Sequence, residues 1–409
     1  MTKGKDSKPH IGIFGRRNNG KSSLINVLAG QEIAIVSDVA GTTTDPVKKS
    51  IEIAGLGPVI LVDTAGIDDT GELGEKRIAS TLNTLKIIDM ALLVIANSEF
   101  GLPEETLVKQ FSSLEIPYII LHNKTDAHRP ANGFVDDLIS KLKVPVLPFS
   151  TKVAPDKEGV IRLMRESIPE SAFKSTSLIG DIVKQGDLVL LITPIDIEAP
   201  EGRMILPQVQ TIRDALDNDC ICLVCKEREL DKVISTLQPR PALAITDSQI
   251  FLKADASIPA DIPLTSFSIL LARQKGDFSS YLKGTPKIGC LNDGDRILIL
   301  ESCTHHVSCD DIGRTKIPRW LSNFTGKKLH FEVVSGLNSL PRPIREYALV
   351  IQCGGCVLTT RQLLNRLKPA IDAGVPVSNY GMTIAWIHGI FQRAVAPFVT
   401  IERDSSDYL

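Results

Sequence analysis

Two groups of residues in this 409-residue chain have types and spacings that chemistry would require. The first begins with Gly15-Arg16-Arg17-Asn18-Asn19-Gly20-Lys21-Ser22, which satisfies GxxxxGK[ST] between an apolar run and an apolar helix opening near Ser22. Glycines let backbone N–H groups curl around a phosphate, and the helix N-terminus adds a favourable dipole. Lys21 is spaced to reach the β- and γ-phosphates, and Ser22 to ligate Mg2+. Downstream, Asp63-Thr64-Ala65-Gly66 offers a carboxylate for the water shell of Mg2+ and, at Gly66, an N–H that can sense the γ-phosphate. Asn123-Lys124-Thr125-Asp126 supplies a carboxylate that accepts from N1–H and the exocyclic amine of guanine. Adenine presents the reverse pattern, so Asp126 selects guanine. Ser150-Thr151-Lys152 completes the base pocket. The expected GTP/GDP and Mg2+ set is thus Gly15, Asn18, Asn19, Gly20, Lys21, Ser22, Ser23, Asp63, Asn123, Lys124, Asp126, Ser150, Thr151 and Lys152.

The second group is sulfur. Cys353-Gly354-Gly355-Cys356 lets two thiolates converge on one metal, with glycines that allow backbone N–H groups to face them. Upstream lie Cys303, His305, His306 and Cys309. Cys303, His305, Cys353 and Cys356 would satisfy zinc. Three cysteines with an exchangeable fourth ligand would suit an iron–sulfur cluster, and a dithiol redox pair is the third reading. Ligand types alone do not choose among them. Cys309 reads as incidental. Cys220, Cys222 and Cys225 have a metal-like spacing, but Ile221, Leu223 and Val224 between them predict a buried strand with Cys225 facing away from the other two. These three, and Cys290, read as core cysteines. His388, Trp320 and Trp386 read as packing residues. Arg314, Lys316 and Arg319 are expected to form a basic rim or a solvated face. Glu72, Glu75, Lys76 and Arg77 read as a solvated helix.

These residues need strand ends to hold them. Ile11–Phe14, Val59–Asp63, Ala91–Ile95, Tyr118–His122 and Val146–Phe149 are predicted strands alternating with helices, the pattern of a parallel sheet whose ligands bind at the C-terminal strand ends. Ile168–Ser177 reads as a linker. A second α/β section follows, with strands at Leu188–Ile192, Ile221–Val224 and Ala242–Ile245, helices at Val209–Ala215 and Glu227–Leu237, and a turn-rich stretch over Pro241–Pro263. The chain is expected to be α/β throughout, divided at 1–170, 171–276 and 277–409, and no internal repeat is visible.

The four ordered nucleotide motifs resemble the Era/TrmE branch of small GTPases. The resemblance implies that Thr43, in Gly41-Thr42-Thr43-Thr44-Asp45, binds Mg2+, with Thr44 standing where arginine is common. It also implies that Asn18 helps to hold a K+ that stimulates hydrolysis. Lys21, Thr43 and Gly66 would be the catalytic residues. Ile67 stands where Ras-like enzymes carry glutamine, and an apolar side chain cannot orient water, so intrinsic turnover should be slow. Farther on, Glu301 to His306, Asp311 to Trp320, and Cys353 to Cys356 behind such a GTPase resemble the HydF family, the GTPase scaffolds that mature [FeFe]-hydrogenase. The similarity extends over essentially the whole chain. The family pattern is CxH, a long spacer, then HCxxC, and here 46 residues separate His305 from Gln352. The resemblance implies a [4Fe–4S] cluster on Cys303, Cys353 and Cys356 in a C-terminal cluster-binding domain. Gln352 replaces the histidine of many members, leaving His305, Glu301 or water as candidate fourth ligands. It further implies a middle dimerisation domain, a homodimer, a transient diiron precursor as cargo, radical-SAM maturation enzymes as its suppliers and apo-[FeFe]-hydrogenase as its acceptor.

Composition sets the outer limits. Lys+Arg is 46 against Asp+Glu 48, a net charge of −2, so no basic excess advertises nucleic acid. The longest apolar runs are too short for a bilayer, and the first residues lack a signal-peptide core. A cytoplasmic protein without a membrane or nucleic-acid partner is expected. The competing functions are an Era-like GTPase with a structural zinc acting on RNA or ribosome assembly, and a thiol oxidoreductase fused to a GTPase.

Overall fold

The computed structural model describes residues 8–30, 47–68, 81, 84–169, 172, 176–194, 204–302, 311–336 and 338–399. Thr42, Thr43, Thr44, Asp45, Glu72, Glu75, Lys76, Arg77, Cys303, His305, His306 and Cys309 lie outside the described residues. The chain forms two compact units, Met1–Ser175 and Thr176–Leu409.

The first unit runs β1 (His10–Phe14), α1 (Lys21–Ala29), β2 (Val47–Ile53), β3 (Gly57–Asp63), β4 (Met90–Ala96), α2 (Leu102–Ser113), β5 (Tyr118–Asn123), α3 (Phe134–Leu142), β6 (Val146–Pro148) and α4 (Lys157–Ser167). Its sheet has the order β2-β3-β1-β4-β5-β6. All five expected strands are present. The sixth, β2, pairs antiparallel with β3, and its sequence VKKSIEI exposes nearly every second residue. That polar edge strand carries too little apolar signal to stand out in sequence. The central strand β4, MALLVIA, is buried throughout because both faces are covered. The chain leaves β1 toward β3 on one side and β4 on the other, so the end of β1 opens into a topological switch point.

The second unit begins with β7 (Leu188–Ile192), α5 (Leu206–Asp217), β8 (Ile221–Cys225), α6 (Leu230–Thr236), β9 (Leu243–Thr246), α7 (Phe251–Ser257), β10 (Leu264–Ser266), α8 (Phe267–Lys275) and α9 (Phe278–Gly284). It continues with β11 (Arg296–Glu301), α10 (Ile317–Thr325), β12 (His330–Ser335), β13 (Leu349–Gln352), α11 (Thr360–Asp372), β14 (Val377–Asn379), α12 (Tyr380–Ile387) and α13 (Phe391–Val395). The stretch 241–263, expected to be turns, holds β9 and α7; its prolines fall outside both elements.

Two four-stranded parallel sheets result, β10-β9-β7-β8 and β12-β11-β13-β14. Counted within each sheet, both have the order second, first, third, fourth. This topological repeat was not visible in sequence, since hydrophobic strands can be exchanged without preserving identity. One hydrophobic cluster joins the sheets, running from Leu190, Ala244 and Phe251 to Leu298, Val350 and Met382. Among the described residues, no helix is long and apolar enough to cross a membrane.

Candidate nucleotide site and candidate metal centre

In the first unit the loop after β1 is built as a phosphate cradle. Gly15 has φ 145° and lies against the Val94 carbonyl, where a Cβ would collide with it. Gly20 has φ 93° and leaves no room for a side chain beside the Asn123 amide. Asn18 also adopts a left-handed backbone, φ 59°, and its side chain is exposed. Lys21 Nζ donates to the carbonyls of Gly15 (2.8 Å) and Arg16 (2.9 Å), which places the ammonium inside the loop it serves. Ser22 and Ser23 are in the first turn of α1. Ser22 Oγ lies 3.5 Å from Asp63 Oδ2, so the hydroxyl and carboxylate meet where a divalent cation would need them. Burial raises the Asp63 pKa, and the nearby Lys21 opposes this. Gly66 has no space for a Cβ against Arg17 and Asp68, and Asp68 accepts the Arg17 N–H at 2.8 Å. Ile67 packs toward the core instead of presenting a polar group.

The base side is equally tied together. Asn123 Nδ2 donates to Asn19 O (2.8 Å) and its Oδ1 accepts from Thr151 N (3.1 Å), stitching β5 to the phosphate loop and to the loop after β6. Asn19 Nδ2 reaches Val94 O at 3.1 Å. Lys124 takes φ 64°, turning the chain so that Asp126 follows. Ser150 Oγ donates to Asp126 Oδ1 at 2.7 Å and accepts from Lys152 N at 3.2 Å, orienting the carboxylate. Sequence reasoning missed one partner of this loop. Arg16 forms a two-pronged pair with Glu104 (2.7 and 2.8 Å), whose side chain is 0% exposed and also caps Gly101 N. No motif links residues 88 positions apart, so only folding reveals it.

In the second unit the order β12-β11-β13-β14 puts a switch point between β11 and β13. Leu300 lies opposite Gln352, so the segments after both strands leave side by side. Cys353 Sγ accepts from Ser302 N (3.1 Å) and Gln352 Nε2 (3.4 Å), two N–H donors that favour a thiolate. Gln352 is 0% exposed; its Nε2 also donates to Ser302 Oγ (2.9 Å), while its Oε1 has no hydrogen-bond partner among the described residues. The buried Tyr281 hydroxyl has none either, and burial together with the charge of Cys353 holds its pKa far above the usual phenol value. The Cys353–Cys356 loop rests on α8, with Gly354 beside Leu271 and Ser268. Lys275 Nζ donates to the carbonyls of Gly355 (3.3 Å), Cys356 (3.1 Å) and Leu358 (3.1 Å). Neither Lys275 nor Arg366, which binds Glu301 O at 2.8 Å, was found from sequence, because nothing local marks a cation that serves a distant backbone.

Other expectations divide. Cys220 and Cys222 pack in the cluster on one face of the β10-β9-β7-β8 sheet and Cys225 in the cluster on the other. Burial pushes the thiols of Cys222 and Cys225 up to about 11. Cys290, by contrast, is exposed, ending a short 3-10 helix where no core reaches it. Trp320 meets His388 edge-on at 5.7 Å, and burial lowers the His388 pKa. The basic rim is not free charge: Arg314 pairs with Glu301 at 2.9 Å, and Lys316 donates to Gln249 Oε1 at 2.6 Å, leaving Arg319 exposed. The Glu301 carboxylate also accepts from Ser335 Oγ at 2.9 Å. No group of three His, Cys, Asp or Glu converges among the described residues.

Three family models match successive parts of the chain. The 50S ribosome-binding GTPase model covers residues 10–124, the hydrogen maturase F dimerization domain 178–276, and the hydrogen maturase F tetramerization domain 279–397. The chain belongs to the hydrogen maturase F (HydF) family. Like the family named by these models, it joins HydF oligomerisation domains to a GTPase domain. The GTPase region is 39% identical over 128 residues to the tRNA modification GTPase MnmE of Chromobacterium violaceum, covering 31% of this chain and 28% of that one. It is 42% identical over 115 residues to MnmE of Nitrosomonas europaea, covering 28% and 25%. The chain therefore spans only about a quarter of these relatives. Among solved structures, Aquifex aeolicus Era bound to GDP·AlF4− aligns at 20% identity and a TM-score of 0.36, over 54% of this chain and 93% of that one. The G domain of T. maritima FeoB aligns at 21% identity and a TM-score of 0.31, over 39% and 98%.

Proposed function

We propose that this HydF-family protein is a GTP-switched scaffold that binds a [4Fe–4S] cluster, carries the diiron precursor of the hydrogenase active site and transfers it to apo-[FeFe]-hydrogenase. The observation that carries the cluster reading is the switch point between β11 and β13. There, one N–H donor at Ser302 and one at Gln352 face Cys353 Sγ, and the buried Gln352 Oε1 has no hydrogen-bond partner among the described residues. These features fit a metal-bound thiolate better than a plain core cysteine. Cys353, Cys356 and Cys303 would hold the cluster, with His305 or another weak ligand as the fourth. The cluster would supply an iron site able to share a ligand with the diiron cargo. The flanking protein groups fix the thiolates and keep water from the buried side.

In this reading residues 1–170 form the GTPase module, 171–276 the dimerisation module and 277–409 the cluster module. Lys21, Thr43 and Gly66 act on the γ-phosphate, with Mg2+ on Ser22 and Thr43. The exposed, left-handed Asn18 supports a K+ site on the phosphate loop. Nucleotide state changes affinity for radical-SAM enzymes and hydrogenase instead of driving bond chemistry at the cluster. The oligomerisation-domain matches over 178–397 disfavour an RNA-acting GTPase with structural zinc.

Anaerobic reconstitution with iron and sulfide, followed by EPR of the reduced protein, tests the proposal. Wild type should give a [4Fe–4S] signal that Cys303→Ala, Cys353→Ala and Cys356→Ala each remove. One tightly bound zinc and no cluster would overturn it.

A further inference from the structure

Arg366 lies on α11, the helix that follows the Cys353–Cys356 loop. Its guanidinium donates to Glu301 O (2.8 Å) at the end of β11 and to Val334 O (2.6 Å) on β12, and lies 3.5 Å from Ser302 Oγ. All three acceptors are neutral, and no carboxylate is in ion-pair contact with it among the described residues. The Glu301 carboxylate is engaged instead by Arg314 and Ser335. A guanidinium stays charged in proteins, and a partly buried cation facing only neutral acceptors is unfavourable unless an anion sits nearby.

The adjacent group is the thiol site. Ser302, which lies beside Arg366, donates its N–H to Cys353 Sγ at 3.1 Å, and Gln352 Nε2 bridges Ser302 Oγ and Cys353 Sγ. Burial lowers the Arg366 pKa, and the charges that raise it again are Cys353 first, then Tyr380 and the Glu301 carboxylate.

Resting on the cluster reading above, we propose that Arg366 is a positioning residue and built-in countercation for the metal centre at the β11–β13 switch point. It ties the end of β11 to β12 and holds a fixed positive charge beside Cys353. Cysteine-ligated cubane clusters become more negative by one unit when they accept one electron, so a fixed neighbouring cation favours the reduced form. Arg366 thereby sets the potential at which the site can be reduced.

The test uses full-length protein reconstituted with iron and sulfide, titrated with dithionite as the one-electron donor and followed by EPR. Arg366→Gln should shift the midpoint to a more negative potential than wild type, and Arg366→Lys should bring it most of the way back. An Arg366→Gln midpoint equal to wild type, at equal iron content, would overturn the proposal and leave the cluster reading standing. If Arg366→Gln retains no cluster, Arg366→Lys decides: full iron content with a near-wild-type midpoint supports the role of charge, and equal loss in both variants overturns it. Wild type that forms no cluster removes the cluster reading and this proposal together.

Discussion

Asp126 shows how little a residue needs once its neighbours orient it. Ser150 Oγ holds one carboxylate oxygen at 2.7 Å, so the acidic group is presented in one orientation. Asp126→Asn keeps one acceptor for guanine N1–H and turns the other into an N–H donor that faces the exocyclic amine. Loss of charged hydrogen bonds should weaken GTP binding about 100-fold or more, and xanthosine triphosphate, with a carbonyl in place of the amine, should bind better. Competition against a fluorescent nucleotide measures both, and unchanged GTP affinity would remove Asp126 from the base pocket. The Arg16 pairs make a second residue-scale contrast. Glu104 is fully buried and Glu99, its neighbour in the same cluster, is 57% exposed. Glu104→Ala should cost about 3 kcal/mol of unfolding free energy, because it removes the buried carboxylate that both Arg16 and Gly101 N bond and leaves Arg16 only the exposed Glu99. Glu99→Ala should cost under about 0.5 kcal/mol. Urea denaturation of both variants checks the ordering.

At the scale of elements, the sheets show which strand remains available. Among the described residues, strand β8 has only β7 as a neighbour, yet Ile221 is 56% and Val224 43% exposed. An apolar edge strand is a pairing surface unless something covers it, and this one lies inside the region matched by the dimerization-domain model. Ile221→Lys should shift the protein toward monomer in light scattering while changing monomer stability by less than about 0.5 kcal/mol. An unchanged mass would exclude this edge. Elsewhere, helix α8 explains why the cysteine loop has its shape: it supplies both the apolar floor at Leu271 and the Lys275 ammonium that gathers three carbonyls. The cysteine pair is thereby supported from an element nearly 80 residues earlier in the chain.

At the scale of the molecule, the two sheets of residues 176–409 share one hydrophobic cluster, whereas residues 1–175 have clusters of their own. Calorimetry should therefore show two main transitions. Mg2+ and GDP at about 100 times the dissociation constant should stabilise one of them by about 2.7 kcal/mol through binding linkage and leave the other in place. A third transition, separating residues near 276, would show that the shared cluster does not couple the two sheets.

The nucleotide chemistry was legible in the linear chain because each motif is short and sits at a strand end. Gly15 to Ser22, Asp63 to Gly66 and Asn123 to Asp126 need only local geometry and the correct order. The buried strands were legible for the same reason, as in Leu188–Ile192, where the apolar run and the observed element coincide. The polar edge strand β2, the repeated sheet order and the α7 helix were not, since each is defined by pairing or by burial against distant residues. Sequence singled out Cys353 and Cys356 as candidate ligands but could not say what surrounds them. Tertiary structure placed Ser302, Gln352, Lys275 and Arg366 there, because hydrogen-bond donors and desolvated charge act through space and leave no periodicity in the chain.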